Sequence, residues 1–312
     1  MPDRSEPGQK ALIWVPTEAV AQSLAGLDGA TVEVQVPDGS SQQSAAEVEF
    51  YVPPFFPAPE AVVAMDQMPK LRVVQTLTAG FDRVRPHVPA RAALCNARGV
   101  HDASTAEWVV GAMIAALRQF SYFASEQAAG RWSYRSTDSL AGKTVLIVGY
   151  GSIGHAVERR LAGFDVQVRR VARSARDGVS PVSELPGLLP AADVVVVLAP
   201  VTAETVGMVD AAFLANMQDG ALLVNAARGV LVVTDDLVAE VRSGRLAAAM
   251  DVTDPEPLPA GHPLWSLPNV LITPHVGAST PYSFMMAARF VREQAERYLA
   301  GKPLANVITG DY

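Results

Sequence analysis

The stretch 143–154, KTVLIVGYGSIG, constrains the fold more than any other part of the chain: a short run of apolar β-formers stops at a glycine and passes directly into a helical pattern. A strand with no polar alternation must be covered on both faces, the condition of a parallel sheet lying between helix layers. The same rhythm recurs downstream, with strands predicted at 144–148, 166–171, 194–198, 222–225, 247–251 and 270–273 and a helix opening near Ile153. Upstream, 11–15, 31–36, 48–52 and 71–76 read as short strands closed by Pro, Gly or Asp. The expected architecture is α/β: two Rossmann-like domains with doubly wound parallel sheets, the larger inserted into the smaller.

The expected division is 1–99 plus 281–312 for the smaller domain and 100–280 for the larger, with a ligand cleft between them. The helical stretch 281–299 returns to the first domain because too little chain remains for a new core. A helix over 101–118, with Asp102 or Ser104 as a candidate cap, is almost entirely apolar from 108 to 117, so it must be buried, in part between subunits.

Composition removes several classes of function. With 49% hydrophobic and 18% charged residues the chain is not a disordered one, and 312 residues suffice for two cores. A net charge of −7 lacks the surplus of Lys and Arg that nucleic acid demands. No apolar run approaches the ~18–20 residues of a membrane span, and the opening MPDRSEPGQK has no apolar signal core. The single cysteine, Cys95, has no partner for a disulfide or a zinc site, so we expect a cytoplasmic protein without a metal.

Gly149-Tyr150-Gly151-Ser152-Ile153-Gly154 is a GxGxxG loop in the context that gives it meaning, after a strand and before a helix. The first glycine permits the tight turn, the second lets backbone approach a pyrophosphate, and the third allows close helix-to-sheet contact. The helix N-terminus adds N–H groups and a positive dipole end. An NAD site places a carboxylate at the end of the next strand; here Ala172 stands at that position, followed by Arg173 and Ser174. An arginine and a hydroxyl suit a 2′-phosphate, so we expect NADP(H) to be preferred over NAD(H). A merely solvated strand end is the bland reading of the same residues.

Three later segments close strands of the same sheet: NAARG at Arg228, DVTDPEP at Glu256 and TPHVGAS at His275. Groups beyond the carboxyl ends of parallel strands face one crevice. An arginine, a carboxylate and a histidine are the minimum set for reducing a 2-keto acid with a bound hydride donor. Arg228 would pair with the substrate carboxylate and polarise the ketone, and His275 would donate the proton. Glu256, between Pro255 and Pro257, would hold the imidazole and favour its protonated form. A histidine near a sheet is more often structural; the company of Arg228 and Glu256 separates His275 from His87, His101, His155 and His262. Trp132 and Trp265 read as packing residues, with a place in the substrate pocket as the alternative. The run VPPFF, 52–56, suggests an apolar wall.

With these blocks in this order, the chain strongly resembles the D-isomer-specific 2-hydroxyacid dehydrogenases. QTLTAGFD (75–82) looks like that family's substrate loop, STAEWVVGAMIAALR (104–118) like its interdomain helix, and 225–229, 251–259, 262–270 and 273–279 like its catalytic half. The resemblance implies a catalytic triad of Arg228, Glu256 and His275, carboxylate binding by the backbone of Thr78, Ala79 and Gly80, and a place for Asp251 near the nicotinamide carboxamide. It implies a homodimer formed through the cofactor domains, and reduction of glyoxylate, hydroxypyruvate or a related 2-keto acid. A dinucleotide-sensing protein with little turnover, and a formate or phosphite dehydrogenase, are the alternatives that the same fold allows.

Overall fold

The protein, seen in a computed structural model, is described here over residues 10–35 and 43–310. The chain separates into two compact units, one comprising Met1–His101 with Pro281–Tyr312 and the other Asp102–Thr280.

The first unit is built on five parallel strands, β1 (Ala11–Val15), β2 (Ala30–Val34), β3 (Val48–Tyr51), β4 (Val73–Gln75) and β5 (Ala93–Cys95), in the order β2-β1-β3-β4-β5. Alternate side chains go to opposite faces, as the pleat requires. Ile13, Val15, Phe50 and Val73 join the core on one side, and Leu12, Trp14, Val48, Tyr51 and Val74 that on the other. Helix α1 (Glu18–Ser23) follows β1 and α2 (Pro59–Val63) follows β3. The strand expected at 31–36 ends at Val34, its last position lying outside the described residues, and that expected at 71–76 contracts to three residues.

The second unit opens with α3 (Asp102–Leu117) and α4 (Phe120–Ala128). Its seven parallel strands are β6 (Thr144–Val148), β7 (Gln167–Ala172), β8 (Ser180–Pro181), β9 (Val194–Val197), β10 (Leu222–Asn225), β11 (Ala247–Met250) and β12 (Val270–Ile272). Their order is β12-β11-β10-β9-β6-β7-β8, so the winding reverses between β6 and β9. Helices α5 (Ser152–Leu161), α6 (Leu185–Leu188), α7 (Ala211–Asn216) and α8 (Thr234–Arg242) fill the connections. Both faces of the sheet are covered. Val145, Ile147, Val194, Val196, Leu222 and Val224 enter one core, and Leu146, Val148, Val195, Val197 and Leu223 the other. Each fully buried Val or Leu contributes about 1.5–3 kcal/mol relative to an exposed one, which is why unbroken apolar strands are stable here.

The closing helix, α9 (Pro281–Leu299), begins and ends where the sequence suggests and belongs to the first unit. Ala287, Val291, Ala295 and Tyr298 enter the same core as Ile13 and Phe50. Its buried polar groups are paired: Gln294 donates from Nε2 to Gln75 Oε1 at 2.8 Å, and the Tyr298 hydroxyl donates to Glu49 at 2.5 Å. Among the described residues no helix is long and apolar enough to cross a membrane, and no cluster of His, Cys, Asp and Glu could hold a metal ion.

Candidate active site

The glycine loop lies at the winding reversal of the larger sheet. Gly149 and Tyr150 donate their N–H groups to Val171 O at 2.9 and 3.0 Å, which fastens the loop to the end of β7. Gly149 has φ +99°, and a Cβ there would stand 2.3 Å from Ala199 N in the segment after β9. No side chain fits. At Gly151 a Cβ would meet nothing within 4 Å, so the backbone faces open space, while a Cβ at Gly154 would press within 3.1 Å of the Tyr150 ring. The first bond of α5 runs from His155 N–H to Gly151 O, leaving the earlier N–H groups without helical acceptors. A rigid turn, an open backbone and an unsatisfied helix start fit the pyrophosphate of a dinucleotide.

Beyond β7 no carboxylate occupies the strand end. Ala172 is its last residue, and the exposed Arg173 lies 3.3 Å from Glu204, in the loop after β9. Arg170 is already committed to Glu158, whose carboxyl is held below the usual range by that guanidinium. Glu158 also accepts from the Tyr150 hydroxyl, and burial with the neighbouring carboxylate raises the Tyr150 phenol. Arg176 reaches the carbonyl of Tyr150. Sequence reading singled out Arg173 and Ser174 but passed over Arg176 and Glu204. Arg176 follows Ser174 by two residues and was visible as a second cation; Glu204 is distant in sequence and left no signal.

The loops after β10, β11 and β12 carry Arg228, Glu256 and His275 at the ends of neighbouring strands. His275 Nδ1 lies 2.7 Å from Glu256 Oε1, and both side chains are about three-quarters buried. His275 takes φ +55°, a left-handed conformation uncommon for a residue with a Cβ. Its own backbone explains how this is held: His275 N–H donates to Asp251 O at 2.7 Å, and the following residues Val276 and Gly277 donate to the two carboxylate oxygens of Asp251 at 2.9 and 2.8 Å. Thr273 donates its hydroxyl to the same carboxylate at 2.6 Å. Asp251, 4% exposed, therefore organises the loop that presents the imidazole. Asn225 does the corresponding work at β10, bonding Ala227 N–H and Arg228 O. Gly229 is required because a Cβ there would lie 2.0 Å from Thr253 O.

In the smaller unit the segment after β4 has a one-sided hydrogen-bond pattern. Thr78 O accepts from Thr76 Oγ1 and Ala97 N–H, Ala79 O accepts from Asn96, and Gly80 O accepts from Thr78 Oγ1. The carbonyls are taken and the N–H groups of Thr78, Ala79 and Gly80 are not, a set of donors suited to an anion. Trp265 donates to Pro259 O at 3.0 Å. Trp132, expected to pack, is fully exposed and Tyr134 nearly so, in the irregular stretch 131–139.

A parallel sheet with a glycine cradle at its winding reversal and Arg, Glu and His on neighbouring strand ends defines a dinucleotide-dependent oxidoreductase. Known proteins narrow the class. Residues 110–277 match the model of the D-isomer specific 2-hydroxyacid dehydrogenase NAD-binding domain. A glyoxylate reductase of Thermofilum pendens is 34% identical over 231 residues, 69% of this chain and 68% of its own. A D-isomer specific 2-hydroxyacid dehydrogenase of Xanthobacter autotrophicus, solved with NADPH and MES, superposes with TM-score 0.82 at 29% identity, covering 96% of this chain and 98% of that one. An NADPH-dependent glyoxylate/hydroxypyruvate reductase of Sinorhizobium meliloti, solved with NADP and sulfate, gives TM-score 0.82 at 28% identity over the same shares. The chain belongs to the D-isomer-specific 2-hydroxyacid dehydrogenase family, and is an oxidoreductase acting on CH–OH donors with a nicotinamide cofactor.

Proposed function

We propose that the protein is a D-specific 2-keto acid reductase that prefers NADPH and acts on glyoxylate, hydroxypyruvate or a related 2-keto acid. The observation that carries the reading is the 2.7 Å contact between His275 and Glu256 on a loop that Asp251 holds in a left-handed turn. The substrate carboxylate docks on the N–H groups of Thr78, Ala79 and Gly80 and pairs with Arg228, which also polarises the ketone. A bound nicotinamide supplies the hydride. His275 gives a proton from Nε2 to the carbonyl oxygen as the C=O bond becomes C–OH, and Glu256 at Nδ1 fixes the ring. The cradle 149–154 holds the dinucleotide's pyrophosphate, Asp251 lies near the nicotinamide carboxamide, and Arg173 and Ser174, joined by Arg176, face a 2′-phosphate.

The relatives solved with NADPH and NADP support the cofactor preference, and the glyoxylate reductases support the substrates. Trp132 and Tyr134, too exposed to serve a monomer's core, support a homodimer through the cofactor unit. The buried, unpaired Cys95 suits the reducing cytoplasm. Initial rates of NADPH and NADH oxidation with glyoxylate, hydroxypyruvate and pyruvate test the reading. NADPH should be preferred, and His275→Ala should lower turnover by about 10²–10⁴-fold while cofactor binding, measured by calorimetry, persists. Equal rates in that variant would remove His275 from the chemistry.

A further inference from the structure

The smaller unit has its own winding reversal, between β1 and β3, and ligands in open α/β sheets bind outside the carboxyl ends of the strands at such a point. A cavity of about 1320 Å³ opens there. That exceeds the ~300–1,000 Å³ common for small-molecule sites, and it is far more room than an unsubstituted keto acid fills. Phe55 and Phe56 after β3, Leu77 after β4, and Phe284 and Met285 on α9 line it. Phe56, Phe284 and Met285 are each about half exposed, an arrangement that costs free energy unless something apolar covers them.

Two further observations say what that something is. The two arginines of the wall are turned to partners of their own: Arg292 donates to Ser23 O and Ala25 O and pairs with Glu296, and Arg289 pairs with Glu293, which leaves the exposed Glu60 as the charged side chain at the cavity's α2 side. Leu77, on the cavity wall, is also the residue that immediately precedes the anion loop at Thr78. His101 donates to Leu77 O at 2.6 Å, and Phe55 stacks edge-on against both His101 and Phe284, at 5.6 and 5.5 Å between ring centres.

We infer that this crevice receives the side chain of the substrate, and that among 2-keto acids the enzyme prefers one with a bulky apolar side chain, aryl or branched alkyl, over glyoxylate. The inference rests on the reductase reading above and names its substrate class. The carboxylate is held at 78–80 and the apolar tail runs from Leu77 toward Phe55 and Phe284.

The test compares kcat/KM for glyoxylate, 4-methyl-2-oxopentanoate and phenylpyruvate in the full-length protein and in Phe56→Asp, a half-exposed position where folding is not at stake. Calorimetric titration with D-3-phenyllactate and glycolate gives a second readout. Since one methylene in an apolar pocket is worth roughly 10–200-fold, the substituted acids should exceed glyoxylate by about tenfold or more, and Phe56→Asp should reduce that ratio by a similar factor. Glyoxylate reduced as well as the substituted acids overturns the inference and leaves the reductase reading standing. If no keto acid is reduced, the reductase reading fails and titration decides the crevice: phenyllactate binding that Phe56→Asp weakens supports it, and no binding overturns it.

Discussion

The two sheets present their carboxyl edges in opposite ways. In the larger unit the edge is a set of tight turns whose geometry is over-determined: Gly149 and Gly229 have no room for a methyl group, and Asp251 takes four contacts from the loop at 273–277. In the smaller unit the edge is a mostly apolar crevice whose walls come from α1, α2, α9 and the segments after β1, β3 and β4, and whose rim side chains are half exposed. Chemistry that moves a proton and a hydride needs atoms fixed to a fraction of an ångström, whereas recognition of an apolar tail needs only volume and the absence of charge. One edge is built for position and the other for accommodation.

The sharpest way to break this comparison is to add a methyl group to one edge and trim a side chain on the other. Gly149→Ala brings a Cβ against backbone, where nothing can yield, at a positive φ; we expect a loss of roughly 2–5 kcal/mol in denaturant unfolding. Val63→Ala on the crevice wall, at 48% exposure, should stay within about 0.5 kcal/mol. Similar losses in the two variants would mean that the two edges are equally constrained.

A second experiment separates position from charge within the larger edge. Arg173→Ala removes a charge-assisted contact to the 2′-phosphate, and NADPH affinity measured by fluorescence titration should fall roughly 10- to 100-fold while NADH affinity changes little. A variant that keeps its NADPH preference returns Arg173 to the solvated strand end. Glu204, 3.3 Å from Arg173, competes with that phosphate for the same guanidinium. Both side chains are exposed, so Glu204→Gln should tighten NADPH by no more than about fivefold, with no gain in an Arg173→Ala background.

The difference between the edges is also the difference between what could and could not be read from the sequence. The glycine loop was legible because each constraint is local: a strand, a turn and a helix start within twelve residues, 143–154. The strands of the larger sheet were legible because burial on both faces leaves no polar alternation. Strand β5, Ala93–Cys95, was not, since three residues in a mixed stretch carry no period; the two-residue β8 was equally silent. The crevice was only hinted at by VPPFF, because α9 supplies one wall from the far end of the chain. Asp251 illustrates a subtler gap. Resemblance gave it to the cofactor, while its oxygens in the structure organise the backbone around His275, a role that needs three-dimensional contacts to be seen.

Cys95 offers the smallest and most discriminating effect. It ends β5 on the accommodating side of the molecule, yet it is fully buried, bridged to Val307, and burial pushes its thiol up to about 12 despite a hydrogen bond with Gln294. The thiolate is the reactive form, so at pH 8 almost none is present and none is accessible. Ellman's reagent should therefore report no reaction in the native protein and one equivalent after unfolding. A thiol that reacts natively, and faster with each unit of pH, would show that the smaller unit opens beyond β4 as well, and that its looseness extends past the crevice into the strand against which the C-terminal segment lies.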